Sequence, residues 1–184
     1  MQDEVRELFV EQLKDVYSAE KQALRCMQRT VRKATAPALR DGIQLHIDQT
    51  QVQIERVEQA LEKLDARPGR KVCEAMRGLV EEAQHEVEEQ DGKGPIMDLV
   101  IIAGMQRIEH YEIAAYGTCI ALAEALREGE VAGLLSETLA EEKQTDRQLT
   151  EVTQAHVMPE AMGDSANENA PSQGKGGSGK RRAG

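Results

Sequence analysis

The sequence predicts an all-α protein, and three observations carry that expectation. Only 2% of the 184 residues are aromatic, with no Trp and a single Phe, while Ala, Leu, Glu, Gln, Arg and Met abound, which is helix-forming stock and poor strand stock. Apolar residues recur at spacings of three and four through most of the chain. The runs are interrupted at Thr35-Ala36-Pro37, at ARPGRK (66–71) and at DGKGP (91–95), so four long helices and one short one are expected.

The first helix runs from Val5 to about Arg32 on Leu8, Leu13, Val16, Ala23, Met27 and Val31. Pro37 suits the first turn of a restart, and a second helix follows to Leu64 on Leu39, Ile43, Ile47, Ile54, Val57 and Leu61. A shorter helix spans Cys73 to Glu89 with its stripe at Met76, Leu79, Val80, Ala83 and Val87. The third long helix covers Ile96 to Leu126, a tight turn lies at Arg127 to Glu130, and the fourth long helix reaches about Ala155 on Leu134, Leu135, Leu139, Leu149 and Val152. Two antiparallel hairpins joined by a long crossover carrying the short helix result, which is the connectivity of a ferritin-like four-helix bundle. The bundle is assigned to residues 1–158. From Pro159 to Gly184 the chain is polar, Gly-rich and basic at its end, has no periodicity, and is read as a disordered tail.

Charge and composition narrow the function classes. A net charge of −10 disfavours general binding to nucleic acid or anionic membranes and favours a soluble protein or one that handles cations. Lys175, Lys180, Arg181 and Arg182 in the tail are four charges beside an acidic body, and a solubilising tail accounts for them better than a nucleic-acid site. No apolar run approaches the roughly 20 residues of a membrane span and nothing resembles a signal peptide, so a cytoplasmic location is expected. Cys26, Cys73 and Cys119 are widely spaced, lack CxxC spacing and read as buried hydrophobes in a reducing compartment.

The stretch QRIEHYEIAAYG (106–117) places charge on an apolar stripe. From Met105 the stripe runs through Ile108 or Glu109, Glu112, Ala115 or Tyr116, Cys119 and Ala123. A buried ionised carboxylate costs several kcal/mol unless it is paired, protonated or bound to a cation. Residues equidistant from a hairpin turn lie level, because both helices rise about 1.5 Å per residue. Glu20 is thereby level with Gln49, with His46 one turn away, and Glu112 is level with a point between Glu142 and Asp146. Each long helix thus carries an inward polar group near its middle. Hard cations want several anionic oxygens, so Glu20, His46, Gln49, Glu109, Glu112, Glu142 and Asp146 form a candidate two-metal carboxylate site. Against it stands the reading of each glutamate as a solvated surface residue, and Glu109 competes with Ile108 for the inward position. Glu82 and His85 match an E-x-x-H pattern but lie off the stripe of the crossover helix and read as a solvated face, as do His110 and His156. Tyr116 either donates a hydrogen bond to a ligating carboxylate or is a core tyrosine with its hydroxyl at the bundle edge.

Four stretches, EQLKDVYSAEKQAL (11–24), KVCEAMRGLVEEA (71–83), RIEHYEIAAYGT (107–118) and EEKQTDRQLTEV (141–152), resemble the YciF-like family of ferritin-like bacterial stress proteins. The resemblance implies a ferritin-like bundle, commonly a homodimer, with a di-metal centre of iron or manganese and no settled activity. Glu109 and Glu112 are similar to the third-helix pair of rubrerythrins. The chain departs from di-iron enzymes in carrying His46-x-x-Gln49 and Glu142-x-x-Thr145-Asp146 where Glu-x-x-His is usual, and the family tends to Glu where Gln49 stands. Loss of that anionic ligand weakens one metal position. A dimeric interaction module whose inward polar cluster binds no metal is the competing expectation.

Overall fold

A computed structural model describes residues 1–163; residues 164–184, including the four basic tail residues, lie outside the described residues. The regular elements are α1 (Gln2–Thr30), α2 (Pro37–Lys63), α3 (Glu74–Glu89), α4 (Pro95–Ala125), α5 (Gly129–Val152), a π-helical segment (Thr153–Val157) and α6 (Met158–Ala161). Among the described residues no strand occurs. The last two pieces prolong α5, so the helical chain runs past Pro159, where the tail was expected to begin.

Acidic residues Asp3 and Glu4 in the first turn of α1 and Arg29 in its last turn match the helix dipole. Its buried face is Phe9, Leu13, Val16, Glu20, Ala23 and Met27, and Leu8 is exposed. Phe9 takes the inward place expected of Leu8, because steps of four and three from Phe9 through Leu13 to Val16 hold one face whereas Leu8 to Leu13 skips it. Both α2 and α4 end in left-handed residues, Asp65 (φ 56) and Arg127 (φ 62). In each case the next residue's N–H returns to the carbonyl five back, Ala66 to Leu61 and Glu128 to Ala123, both at 2.9 Å, which closes the helix end.

The α1–α2 turn is fastened from across the bundle. Asp98, buried in the first turn of α4, accepts from Thr35 N at 2.7 Å, Thr35 Oγ1 at 2.5 Å and Ala36 N at 2.8 Å. The carboxylate therefore satisfies backbone donors at the start of α2 that have no partner within that helix. The crossover is fastened likewise. Ser18 Oγ accepts from Cys73 N at 3.0 Å, and Cys73 Sγ accepts from Met76 N at 3.4 Å to cap α3.

Helices α1 and α2, α2 and α5, α5 and α4, and α4 and α1 pack as neighbours, closing a four-helix bundle, while α3 lies outside against α1 and α4. The approach of α3 to α4 is close: a Cβ at Gly104 would stand 2.8 Å from Ala83 Cβ. Inside the bundle are two apolar halves. One gathers Phe9, Leu13, Val57, Leu61, Cys119, Val131 and Leu135, and the other gathers Met27, Leu39, Ile43, Ile101, Met105 and Leu149. Between them the buried positions turn polar: Glu20, His46, Thr50, Gln53, Glu109, Glu112, Thr138, Glu142 and Thr145. The site is this layer.

Candidate metal centre

Three helices bring four ligating side chains together. His46 comes from α2, Glu109 and Glu112 from adjacent turns of α4, and Glu142 from α5, and one donor atom of each lies within 4.8 Å of the others. All four are buried. His46 Nε2 stands 3.1 Å from Glu109 Oε1 and 3.5 Å from Glu142 Oε2. Its Nδ1 is 3.2 Å from Thr145 Oγ1, so a ring that donates from Nδ1 to Thr145 turns its Nε2 lone pair toward the carboxylates. Thr145 thus stands three residues after Glu142, where a histidine was usual in the resemblance, and holds a histidine from the neighbouring helix α2 instead.

Glu20 on α1 borders this group. Tyr116, one turn after Glu112, donates its hydroxyl to Glu20 Oε1 in a very short hydrogen bond, and both residues are buried. Of the two readings of Tyr116, the hydrogen-bond donor to an inward carboxylate is the one the structure has.

The other predicted residues stand differently. Gln49 is half-buried on the flank of α2. At about 100° per residue it is turned roughly 80° from the line of His46, Thr50 and Val57. Asp146 is at the rim, with its side chain 23% exposed, accepting from Gln106 Nε2 at 3.1 Å and lying 3.3 Å from His110 Nε2. His85 and His156 are exposed, Glu82 is exposed and pairs with Arg107, and the three cysteines are buried and unpaired. Sequence reasoning missed Gln53, which is fully buried. The signal was available: His46, Thr50, Gln53 and Val57 follow at steps of four, three and four.

Burial and crowding together favour the protonated form of the layer's carboxyls. Burial, then the charge of Glu142, pushes the Glu20 carboxyl up to about 8 despite the Tyr116 hydrogen bond. Burial also pushes Glu109 up to about 8, with Glu20 and Asp146 adding to it. Glu112 and Glu142 are raised well above the usual carboxylate range, first by burial and then by neighbouring carboxylates, against which His46 gives Glu142 partial relief. Among the described residues, five buried side-chain oxygens have no hydrogen-bond partner: Glu109 Oε2, Glu112 Oε1, both oxygens of Glu142, and Gln53 Oε1. Each unmatched polar atom costs about 1–3 kcal/mol. A cation removes both costs at once, and three carboxylates with one imidazole are a donor set suited to a divalent first-row ion. The residues present fit such an ion.

Residues 4–162 match the family described as a domain of unknown function, DUF892. The chain belongs to that family. It is similar to Protein YciF of Escherichia coli (strain K12), 41% identical over 158 residues that cover 85% of this chain and 95% of that protein. The crystal structure of the E. coli stress protein YciF superposes with a TM-score of 0.78 at 39% identity, over 86% of this chain and 97% of that one. YcfI of Rhodopseudomonas palustris, described as a candidate structural protein, matches with a TM-score of 0.76 at 37% identity, over 79% and 92% of the two chains. A ferritin-like diiron-carboxylate protein of Bacillus anthracis shares the fold at 14% identity, with a TM-score of 0.62 over 81% of this chain and 97% of that one. The DUF892 chain is therefore an all-α, ferritin-like bundle related to a stress protein, with a buried histidine and glutamate cluster at its centre.

Proposed function

We propose that this protein is a cytoplasmic, stress-associated metal-binding protein that holds iron or manganese in the polar layer of its bundle. The observation that carries the reading is the set of unpartnered buried oxygens on Glu109, Glu112 and Glu142, within reach of the His46 imidazole. His46, Glu109, Glu112 and Glu142 would hold the first ion, and Glu20 would contribute to a second. Iron or manganese, when bound, supplies one-electron chemistry toward dioxygen or peroxide.

The chain's own residues do the rest. Thr145 fixes the His46 ring, Tyr116 fixes the Glu20 carboxylate, and the two apolar halves exclude bulk water from the layer. A cavity of about 20 Å³ lined by Leu39, Gly42, Met105, Thr145 and Leu149 backs onto His46 through Thr145. Its size suits a molecule no larger than water. Ion binding must displace protons from the raised carboxylates, so affinity rises with pH. The test is equilibrium dialysis of chelator-stripped protein against Fe(II) or Mn(II) with elemental analysis. Bound metal near one ion per chain or above supports the reading, and none ends it.

A second reading has its own observation. His46 already touches Glu109 and Glu142, so with its carboxylates protonated the layer can exist as a hydrogen-bonded network without metal, in a dimeric structural module. Under either reading we propose a homodimer. Ala38, Gly42, Leu45, Gln49 and Val52 follow along α2 at steps of four, three, four and three, the spacing of a helix-pairing seam, and Leu45 and Val52 are exposed.

A further inference from the structure

Gln53 is a buried amide with one end matched and the other not. Its Nε2 donates to Glu141 Oε2 at 2.9 Å. Glu141 is in turn clamped by Arg56, with Nη1 to Oε2 at 2.7 Å and Nη2 to Oε1 at 3.0 Å. An ionised carboxylate only accepts, so the amide must present its nitrogen to Glu141, and its oxygen is forced to point the other way. That oxygen is buried and has no partner. The clamp therefore sustains an otherwise unfavourable arrangement, an amide oxygen aimed into the bundle.

The place it faces can be located. On α5, Glu141 meets Gln53, and the adjacent Glu142 meets His46. On α2, His46 and Gln53 are two turns apart, about 10.5 Å along the axis. Glu142, with both oxygens unmatched, thus lies between His46 on one side and Gln53 on the other. Tyr116, one turn beyond Glu112 on α4, reaches Glu20 on α1, which sets Glu20 against the same part of the layer.

We infer that Gln53 is a metal ligand whose Oε1 supplies a neutral oxygen to a second cation position, shared with Glu20, Glu112 and Glu142, and that Arg56 and Glu141 are positioning residues that aim this oxygen. The inference rests on the cation-binding reading above and adds an order to it. The first position draws on a histidine and three carboxylates. The second shares two of those carboxylates and replaces a further anionic ligand with an amide, so its ion sees less negative charge. Two divalent ions bind in sequence, the first tightly and the second weakly, and occupancy of the second follows the free ion concentration.

Isothermal titration calorimetry of the full chain with Mn(II) is the test. Wild type gives two resolved steps. Gln53→Met, of similar volume, leaves the first step within about twofold and weakens the second by about tenfold or more; Gln53→Glu tightens the second step by a similar factor. Arg56→Met, which frees Glu141, weakens the second step while leaving the first. Thermal melts in EDTA establish that each variant is folded, and the Gln53→Glu gain cannot come from misfolding. A single-step wild-type isotherm, or a second step that neither Gln53 variant moves, overturns the inference and leaves the cation reading standing. Absence of any binding step overturns the cation reading itself.

Discussion

Glu109→Gln tests the charge state of the layer with the least disturbance of shape. The variant keeps the volume and an oxygen for the His46 contact, now 3.1 Å, and removes one ionisable group. Glu109 has its carboxyl pushed up to about 8 from an ordinary value of 4.5, mainly by burial. Below pH 4.5 folded and unfolded chains both hold that proton, and it contributes nothing to the difference between wild type and variant. Between pH 4.5 and about 8 the folded chain keeps a proton that the unfolded chain releases, so metal-free wild type loses stability as pH rises. The slope is about 1.4 kcal/mol per pH unit, and across that window the loss approaches about 5 kcal/mol when Glu109 carries the whole shift.

Urea melts followed by circular dichroism, in EDTA at pH 4.5 to 8, measure this directly. Metal-free Glu109→Gln should match wild type at the acid end and become progressively the more stable protein toward pH 8. At pH 7.5 Mn(II) should narrow that gap. An ion at 100 times its Kd adds about 2.7 kcal/mol to wild type, and the variant, short of one anionic ligand, gains much less. Parallel pH profiles in EDTA, or a variant that gains as much from Mn(II) as wild type does, would refute the reasoning.

Three further outcomes follow from the fold. Asp98→Ala strips the partners from Thr35 N and Ala36 N at the start of α2 and should cost about 3 kcal/mol in urea melts, with Asp98→Asn recovering part of it; a cost below about 1 kcal/mol would show the latch to be dispensable. Gly104→Val sets side-chain atoms against Ala83, so α3 must shift, and stability should fall by about 1–3 kcal/mol, largely restored in the double variant with Ala83→Gly. Leu45→Glu with Val52→Glu puts charge on the α2 seam and should convert the dimer to a monomer in sedimentation velocity at micromolar concentration without lowering metal content; a wild-type monomer at that concentration removes the dimer proposal.

Much of the fold was legible because helix periodicity reports burial directly. Pro37 opens α2 where expected, the breaks at 66–71 and 91–95 flank α3, and α3 and α4 begin within a residue of their expected starts. Glu109 and Glu112 were legible for a related reason: charge on an otherwise apolar stripe is expensive, so its presence marks a place where the environment must answer, and His46 and Glu142 followed from their heights beside the hairpin turns. Gln49 and Gln53 show the limit. Counting residues outward from a turn fixes height along the bundle but leaves rotation about the helix free, and a rotation of less than one residue's angle exchanges which amide faces inward. The stripe of His46, Thr50, Gln53 and Val57 resolves it, and only by admitting polar residues to a buried face. Asp98 and the tie from Ser18 to Cys73 N were illegible for another reason. Each matches a side chain to backbone groups on a distant segment, 63 residues away between Asp98 and Thr35, and no local pattern records such a partner.

The same distinction bears on what the polar layer is for. A polar network that serves only to fix the packing of a bundle has its donors and acceptors matched, because the matching is what specifies the arrangement. Asp98 meets that standard with three donors, and so does Glu141 with Arg56 and Gln53. Glu142, one residue from Glu141, has neither oxygen matched. A chain that answers Asp98 at the end of the bundle and the half-buried Glu141 in full, and leaves Glu142 open in the central layer, supports the proposal that the open oxygens meet a partner that is not part of the chain. A variant that removes the need for a partner makes the point testable. Glu142→Leu removes the unmatched oxygens and fills the layer with apolar volume, so the metal-free protein should gain stability at pH 8, by about 1–4 kcal/mol as for other buried charges replaced by hydrophobes. The gain should come with loss of metal in dialysis. A Glu142→Leu protein that is less stable than wild type at pH 8 in EDTA would mean that Glu142 is already answered by its neighbours, and the structural reading would then be preferred.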